Sequence, residues 1–430
     1  MREMKDSGIE WIGKIPHCWN TSKLKYLGQY INGYAFKPEE WGSKGVPIIR
    51  IQDLTGSNDN PNYFEGQIDK KYGVENGDIL ISWAATLDAF IWNKGNGWLN
   101  QHIFKAVPNR RIIDYDFFFW MIKESMKNMN NDNKHGIFMQ HVTLSVFNNF
   151  TIPMPPLAEQ HRIAAFLDRK CAEIDAVLEK TRASIEEYKK LKQAVITQAV
   201  TKGVRGDRPM KNSGIEWIGE IPAEWDVVRQ KYSWNTVESG VSVNAADKPV
   251  DNSEQYGVLK TSAVSKFVFI PTEHKQVNLE EYGRVSCPVR ADSIIASRMN
   301  TPELVGACGY VQNNYPNLFL PDRLWQITFK DGLSPKYAWY YLSGIRVRQY
   351  ISSLSTGTSS SMQNISQSQY GNIFITIPSI GEQSEITKYL DEKCRSVDAL
   401  IAKKQQYLTE IENYKKSLIY EYVTGKKEVV

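Results

Sequence analysis

The six histidines and five cysteines are the residues of this 430-residue chain that could hold a metal ion or act as nucleophiles. The histidines show no ligand spacing, and the odd number of cysteines contains no C-x-x-C pair, so neither a zinc site nor a disulfide framework is expected. The chain has no G-x-x-x-x-G-K-[ST], G-x-G-x-x-G or H-E-x-x-H motif. The sequence therefore predicts no catalytic, cofactor or metal site of a familiar kind.

Composition and charge narrow the class of protein only a little. With 42% hydrophobic and 23% charged residues, the chain has the composition of an ordinary globular protein. Its 52 basic and 48 acidic residues give a net charge of +4, which is compatible with nucleic-acid binding but far from a histone-like balance. The longest apolar run, residues 117–122, is too short to span a membrane, and the N-terminal segment has no apolar core typical of a signal peptide. We expect a cytoplasmic protein.

An internal repeat determines the predicted architecture. Residues 4–19, MKDSGIEWIGKIPHCW, recur at residues 210–225 as MKNSGIEWIGEIPAEW, an offset of 206. A second repeat matches residues 139–201 to residues 362–424 without a gap, at an offset of 223. We interpret the chain as a duplication with a pseudo-twofold axis, in which a framework stayed alike while two interior modules drifted apart. A tandem duplication without functional meaning is the alternative.

Weak landmarks survive inside the divergent modules. The Ile-Ile-Arg run that ends at Arg50 matches Val-Leu-Lys ending at Lys260, at an offset of 210. Asp78 matches Asp292 at 214, and a leucine at position 99 matches one at position 320 at 221. The offset only grows along the chain, as insertions in loops of the second module would make it.

Two long amphipathic helices are predicted in the second repeat. From residue 158 to residue 202, apolar side chains recur in steps of three and four, and the copy at residues 382–424 shows the same spacing. Neither stretch contains Pro or Gly, and about 45 residues at about 1.5 Å each give about 65 Å. The narrow apolar stripe is typical of a coiled-coil seam, so the helices are expected to pair, antiparallel, with Cys171 and Cys394 as small buried seam residues.

Each interior module is predicted to be a mixed α and β domain, so the fold class is α+β. Short apolar runs broken by Gly, Asn, Pro and Asp predict strands, and two longer ones predict helices. The strands include residues 46–51, 79–82, 267–270 and 324–329, and the helices lie around residues 115–126 and 335–350. The predicted parts are a framework segment at 1–19, a first module at 20–155, a central helix at 156–203, a linker at 204–212, a framework repeat with the second module at 213–378, and a C-terminal helix at 379–430.

The framework resembles the specificity subunit of a type I restriction-modification system. Each half opens with G-I-E-W-I-G-x-I-P-x-x-W, at residues 8–19 and 214–225. Each long helix is entered by the same proline, Glu-Gln pair and isoleucine, namely Pro155, Glu159, Gln160 and Ile163 in the first copy and Pro378, Glu382, Gln383 and Ile386 in the second. The resemblance covers the whole chain.

This resemblance implies a division of labour in a larger complex. Each divergent module would be a target recognition domain that reads one half of a split sequence in double-stranded DNA, and the helices would be the spacer. Two adenine-N6 methyltransferase subunits would dock on the framework, and motor-nuclease restriction subunits would join them. S-adenosylmethionine, ATP and Mg would belong to those partners, and this chain would be non-catalytic, with no membrane partner.

The resemblance does not supply the residues that contact DNA, so we infer them from chemistry and position. Arg and Lys suit guanine edges or phosphates, while Gln and Asn suit adenine. In the first module the candidates are Lys37, Arg50, Gln52, Lys94, Gln101, His102, His135, Gln140 and His141. In the second they are Lys260, Ser262, Arg298, Asn300, Arg323, Ser359, Ser360, Gln363 and Asn364. A solvated surface role is the alternative for each one, and Gln140 and Gln363 occupy the same place in both copies, which favours a framework role.

Two other classes of function stay open at this point. A non-catalytic adaptor whose paired modules bind protein or carbohydrate would show no affinity for DNA. An enzyme with an unfamiliar site would show activity as a purified single chain.

Overall fold

The chain divides into two units, each with a β-rich module and parts of both long helices. The computed structural model describes residues 2–58, 60–131, 142–359 and 362–429. The first unit contains Met1–Arg182 and Gln406–Val430, and the second contains Ala183–Gln405. The predicted α+β class with internal duplication is confirmed.

The first half of the chain contains short strands that precede one long helix. Its strands are β1 (Met4–Ile9), β2 (Gly13–Pro16), β3 (Asn20–Lys23), β4 (Gly28–Asn32), β5 (Val46–Ile49), β6 (Tyr63–Phe64), β7 (Gly73–Val74), β8 (Ile79–Ser82), β9 (Asp88–Ile91), β10 (Gly97–Leu99), β11 (Ile103–Pro108) and β12 (Thr151–Met154). Its helices are α1 (Ile51–Thr55), α2 (Tyr115–Asn131), α3 (Leu144–Asn149) and α4 (Leu157–Lys202).

The second half repeats this order with additional strands. Its strands are β13 (Met210–Asn212), β14 (Glu220–Pro222), β15 (Asp226–Arg229), β16 (Trp234–Ser239), β17 (Ala245–Ala246), β18 (Gly257–Leu259), β19 (His274–Val277), β20 (Pro288–Val289), β21 (Ser293–Ser297), β22 (Met299–Asn300), β23 (Cys308–Val311), β24 (Tyr315–Phe319), β25 (Leu324–Phe329), β26 (Thr356–Ser359), β27 (Met362–Asn364) and β28 (Phe374–Ile377). Its helices are α5 (Pro335–Ser343), α6 (Ile345–Leu354), α7 (Gln367–Gly371) and α8 (Ile380–Val423).

Each module has its own central antiparallel sheet of four strands, and the strand order is equivalent in the two modules. The order is β4-β11-β8-β9 in the first unit and β16-β25-β21-β23 in the second. Ile103 pairs with Ser82 in the first sheet, and Leu324 pairs with Ser297 in the second. With the offset of 221 for β11 and β25, these pairs put the inner strands, β8 and β21, at an offset of 215, one residue more than the 214 taken from the two aspartates.

Each module also has a second sheet. Among the described residues of the module, this sheet contains the only pair of parallel strands. Strand β5 pairs with β10 in the first unit, and β18 pairs with β24 in the second. Trp98 lies opposite Ile48, and Phe319 lies opposite Val258. The separation of the paired residues, 50 in the first module and 61 in the second, differs by 11, as the predicted offsets of 210 and 221 require.

The core of each unit includes apolar side chains from both long helices. In the first unit, Leu167 near the start of α4 and Val423 at the end of α8 belong to one buried cluster with Trp19. In the second unit, Leu390 of α8 and Val200 of α4 lie in the corresponding cluster. Because the start of one helix is buried with the end of the other, the helices run antiparallel within each unit.

Ion pairs across the helix seam show the same direction. In the first unit, Asp175 pairs with Lys415 at 2.6 Å and Arg182 pairs with Glu412 at 2.5 Å, so residue numbers rise along α4 as they fall along α8. The predicted antiparallel pairing is confirmed. Helix α4 ends at Lys202 and α8 ends at Val423, close to the ends of the two apolar stretches, and a left-handed glycine follows each, at φ +76° for Gly203 and +73° for Gly425.

Several predicted elements have different bounds or a different structure. Helix α2 continues to Asn131, and α8 begins at Ile380, so Gly381 lies inside its first turn. The helix predicted around residues 335–350 is two helices, because Gly344 between them has an extended backbone with φ −67° and ψ +139°. The strand predicted at 46–51 ends at Ile49, since Arg50 caps α1.

The strand predicted at residues 267–270 is wrong. Phe267 has a left-handed backbone, with φ +58°, which a regular strand cannot contain. The carbonyl of Phe267 accepts a hydrogen bond from the indole of Trp339 at 2.7 Å, and the amide of Ile270 donates to the carbonyl of Ala263 at 2.8 Å. The apolar run therefore forms a turn that is hydrogen-bonded to other residues of its own module. The spacing of apolar residues in the sequence cannot distinguish such a turn from a strand.

Candidate nucleic-acid interface

A buried glutamate at the start of α4 connects the N-terminal hairpin of the first unit to the long helix. The indole of Trp19 donates a hydrogen bond to Oε2 of Glu159 at 3.0 Å, and Nη1 of Arg2 lies 2.6 Å from Oε1. Burial alone raises the pKa of Glu159, but the hydrogen bonds from Arg2 and Trp19 together bring that pKa below its ordinary value. Glu159 is therefore held as a carboxylate.

The second unit repeats this cluster with matching residues. The indole of Trp225 donates to Oε2 of Glu382 at 3.0 Å, and Nη1 of Arg208 lies 2.6 Å from Oε1. Arg208 stands at the offset of 206 from Arg2, inside the segment 204–212 that the sequence predicts as a linker. That segment also contains β13 and the Arg205–Glu385 pair at 2.9 Å, so it is bonded to the helix rather than loose.

The glutamine that follows each glutamate ties the helix start to the preceding loop. Nε2 of Gln160 donates to the carbonyl of Pro155 at 2.9 Å, and its Oε1 accepts from the amide of Asp114 at 2.8 Å. Gln383 repeats both contacts, with the matching proline at 2.9 Å and with the amide of Ser334 at 2.8 Å. The repeated Glu-Gln pair thus has a structural explanation in both halves.

About two turns further along each long helix, an aspartate contacts the helix of the module. Asp168 accepts from the indole of Trp120 at 2.7 Å, and Asp391 accepts from the hydroxyl of Tyr340 at 2.8 Å. Asp391 also pairs with Lys336 at 2.5 Å. The aspartate of each long helix therefore holds the module through a helix of that module, α2 in the first and α5 in the second. The residue that donates the hydrogen bond differs, being Trp120 in α2 and Tyr340 in α5.

The two seam cysteines are buried as predicted. Cys171 is 2% exposed and Cys394 is 7% exposed, and burial raises the pKa of each thiol to about 11. Both thiols therefore stay protonated at neutral pH and act as packing residues.

Three first-module candidates gather around the short helix α1. Arg50 caps this helix, and its guanidinium lies 4.8 Å from the ring centre of Trp41. Gln52 is exposed on α1, and Nζ of Lys94 donates to the carbonyl of Asp53 at 2.7 Å. Arg50, Gln52 and Lys94 thus share one surface.

The remaining first-module candidates lie elsewhere. Gln101 and His102 are neighbours in the turn before β11, with 3.4 Å between their side-chain nitrogens. Lys37 is exposed, and no described contact joins it to the other candidates. Three further candidates, His135, Gln140 and His141, lie outside the described residues.

The second-module candidates form two groups. Lys260 occupies the place of Arg50 and pairs with Asp247 at 3.4 Å, while Ser262 donates to Glu273 at 2.6 Å. The other group surrounds the three-stranded sheet β22-β27-β26, where Asn300 pairs with Gln363 and Met299 pairs with Asn364, beside Arg298 and Arg323. Ser359 ends β26, its side chain is not described, and Ser360 lies outside the described residues.

A backbone junction at the end of the inner strand is the same in both modules. In the first, the amide of Trp83 donates to the carbonyl of His102 at 3.3 Å, and the carbonyl of Trp83 accepts from the amide of Val142 at 2.9 Å. The matching residues of the second module are Arg298, Arg323 and Ile365, where both bonds measure 3.0 Å. We call this arrangement the strand junction.

Sequence reasoning missed Trp83, Arg2 and Arg208. Trp83 follows a buried strand directly, as Arg298 does, but an aromatic residue beside an apolar run gives no polar signal. The two arginines stand at the offset of the first repeat, so extending that repeat by two residues would have found them.

Clusters of metal ligands and membrane-spanning helices are both absent from the described residues. No group of three His, Cys, Asp or Glu side chains in the described part of the chain could hold a metal ion. No helix among those residues is both long and apolar enough to cross a membrane.

Comparison with known proteins assigns the family. A family model described as the type I restriction modification DNA specificity domain matches residues 16–187 and again residues 248–413. The type I restriction enzyme EcoBI specificity subunit of Escherichia coli is 24% identical over 99% of this chain and 90% of its own length. The type I restriction enzyme MjaVIII specificity subunit of Methanocaldococcus jannaschii is 27% identical over 97% of this chain and 94% of its own.

A solved structure shares the fold of the whole chain. It comes from a study of complex assembly and conformational transition of the type I R-M system, and it superposes with a TM-score of 0.70 at 17% identity. The match covers 96% of this chain and 99% of that one.

Two copies of one bonded framework, each holding a different β-rich module, define an internally duplicated protein with two recognition modules. The doubled match to one family model has the same organisation. The chain belongs to the family of type I restriction-modification specificity subunits, and the resemblance inferred from its sequence is confirmed. It is the non-catalytic subunit that determines DNA target recognition within such a complex.

Proposed function

We propose that each module reads one half of a split DNA target and that the α4–α8 pair sets the distance between the halves. The observation that carries this proposal is the contrast between framework and modules. The Arg-Trp-Glu cluster and the glutamine contacts recur with the same partners in both units, while the strand junctions carry different side chains. A constant framework suits constant partners, and different modules suit two different half-sites.

The partners follow from the duplication of the framework. Two adenine-N6 methyltransferase subunits dock on the two framework copies, and motor-nuclease restriction subunits join them, in the cytoplasm. S-adenosylmethionine, ATP and Mg bind to those subunits. A framework repeated with the same buried contacts offers two equivalent surfaces, which supports two copies of one partner.

The recognition modules are residues 20–155 and residues 213–378, the latter with its framework repeat. The DNA-contacting residues are drawn from the candidates named from the sequence. Their support is local: the group around α1 in the first module, and the group around β22-β27-β26 in the second. Each module has nearly balanced charge, so such local clusters must supply the contacts with phosphate and bases.

A module exchange tests the proposal. Replacing residues 20–150 by the matching module of a relative, in the complete complex, should change one half of the methylated motif and leave the other half intact. The measurement is a map of methylated adenines in cells that carry either chain. A change in both halves would contradict independent reading, and a chain without DNA affinity, with or without its methyltransferase, would favour the adaptor that binds protein or carbohydrate.

A further inference from the structure

The strand junction holds different chemistry in the two modules. In the second module its first two positions are Arg298 and Arg323, joined through their backbones. Within the described residues neither guanidinium has a carboxylate partner, whereas Arg284 and Arg290 of the same module pair with Glu281 and Glu238. Two neighbouring cations without a counter-ion favour a ligand that is anionic or rich in acceptor atoms.

The two arginines differ in how firmly they are held. Both backbone polar groups of Arg298 are bonded within the junction, and its side chain is half-buried. Arg323 contributes only its carbonyl to the junction and is exposed. A fixed, half-buried guanidinium suits directional recognition, while an exposed one suits a contact that needs only charge.

The way Arg298 is held favours a base edge over a phosphate. Its backbone is bonded on both sides just after β21, so its half-buried guanidinium has a restricted range of positions. Guanine presents O6 and N7 side by side in the major groove, and these two acceptors match the paired N–H donors of one guanidinium. A backbone phosphate needs only a nearby cation, which the exposed Arg323 offers.

We propose that Arg298 reads a guanine in the half-site of the second module, through O6 and N7, and that Arg323 contacts a neighbouring backbone phosphate. This inference rests on the proposed function of the modules as DNA readers. Arg is the side chain that bonds guanine in a bidentate way, and phosphate contacts position a protein without carrying sequence information.

The first module has no guanidinium at its junction. Trp83 occupies the place of Arg298, with its ring centre 5.7 Å from that of Phe104 and 5.4 Å from that of His102. The junction position is thus filled by aromatic packing, and the exposed His102 stands in the place of Arg323. The guanine contact therefore belongs to one half-site only.

The test uses the full chain assembled with its methyltransferase subunit and a DNA library with one randomised half-site at a time. For Arg298→Ala, preference for guanine at one position of the second module's half-site should fall about 10- to 100-fold, with the other half-site unchanged. For Arg323→Ala, affinity should fall for all sequences alike, the motif should stay intact, and the slope of log affinity against log salt should drop by about 0.9.

Two further variants keep the experiment decisive. Arg298→Lys keeps the charge but loses the planar fork of the guanidinium, so it should weaken the guanine preference even if Arg298→Ala fails to assemble. Arg284→Ala, which removes an ion-paired arginine of the same module, should leave the motif unchanged. A uniform loss of affinity with an intact motif for both Arg298 variants would overturn the base contact, while a wild-type complex without a two-part motif would instead overturn the proposed function.

Discussion

At the scale of single residues, the glutamates that begin the long helices are the most constrained charges of the framework. The side chain of Glu382 is 2% exposed and that of its partner Arg208 is 11% exposed. Removing one member of a buried ion pair leaves the other charge uncompensated, which is far more destabilising than the net contribution of the pair itself. The stability of the framework should therefore be sensitive to replacing one oxygen of this carboxylate by the amide nitrogen of glutamine.

Glu382→Gln should lower the free energy of unfolding of the second unit by up to about 3 kcal/mol, because Arg208 loses its buried counter-charge and keeps only the exposed Glu224, at 2.9 Å. Chemical denaturation followed by tryptophan fluorescence measures this change. The matched control is Glu385→Gln, one turn on, whose pair with Arg205 is about half exposed and should contribute little. Equal effects of the two substitutions would contradict the role of burial.

The lowered pKa of Glu159 predicts an acid-sensitive first unit. Because the folded pKa lies below the ordinary value of 4.5, the stabilisation is fully present above that value and is lost as the pH falls through the folded pKa. The free energy of unfolding of wild type should fall more steeply than that of Glu159→Gln between about pH 5 and pH 3. Parallel pH profiles would show that Glu159 has the same pKa in the unfolded chain.

Individual DNA contacts could be predicted from the sequence only as candidates. Arg298 and Arg323 are named by residue type and position, but the junction that makes them neighbours joins residues distant in sequence. Trp83 gives no polar signal at all. Side-chain pairing across loops has no period, so its geometry appears only in the structure.

At the scale of elements, the long helices were predicted almost to the residue, whereas the module elements were not. Helices α4 and α8 are long, lack proline, and keep one apolar stripe, so period and length agree. The sequence of α5 and α6 predicts one helix, but the extended backbone of Gly344 divides it into two. The run at 267–270 predicts a strand, but Phe267 has a left-handed backbone. Local apolar runs in the modules are short enough for tertiary contacts to override them.

The helix pair can be tested as a ruler. If it sets the distance between half-sites, their centres should lie about one helical turn of DNA apart, roughly 10 base pairs. Four residues inserted after Lys180, matched by four beside Glu412 of α8, add about 6 Å and close to one full turn to each helix. The bases read should stay the same while the unread spacer lengthens by one or two base pairs, at about 3.4 Å each.

The control is an insertion of two residues at the same place. Two residues rotate the apolar stripe away from its partner, so this variant should fail to fold or assemble. A four-residue variant that assembles well and methylates with the original spacer would show that another element sets the distance. Methylated-motif mapping measures both outcomes.

At the scale of the whole molecule, the chain acts as the recognition part of an assembly. The purified chain should neither methylate nor cut DNA, and it should bind its target specifically only, or much better, together with its methyltransferase subunit. Transfer of labelled methyl groups and gel-shift titration with and without that subunit measure this. Methyl transfer by the purified chain alone would contradict the division of labour.

The first unit is built from Met1–Arg182 and Gln406–Val430, with all of the second unit between them in the chain. A ribosome adding about 5–20 residues per second therefore needs on the order of 12–50 s after residue 182 before all of residues 406–430 exist. During that interval the surface that will cover Leu418 and Val423 remains open to water and to other nascent chains. A chain that stops at residue 405 should accordingly leave residues 183–405 resistant to protease and residues 1–182 sensitive to it.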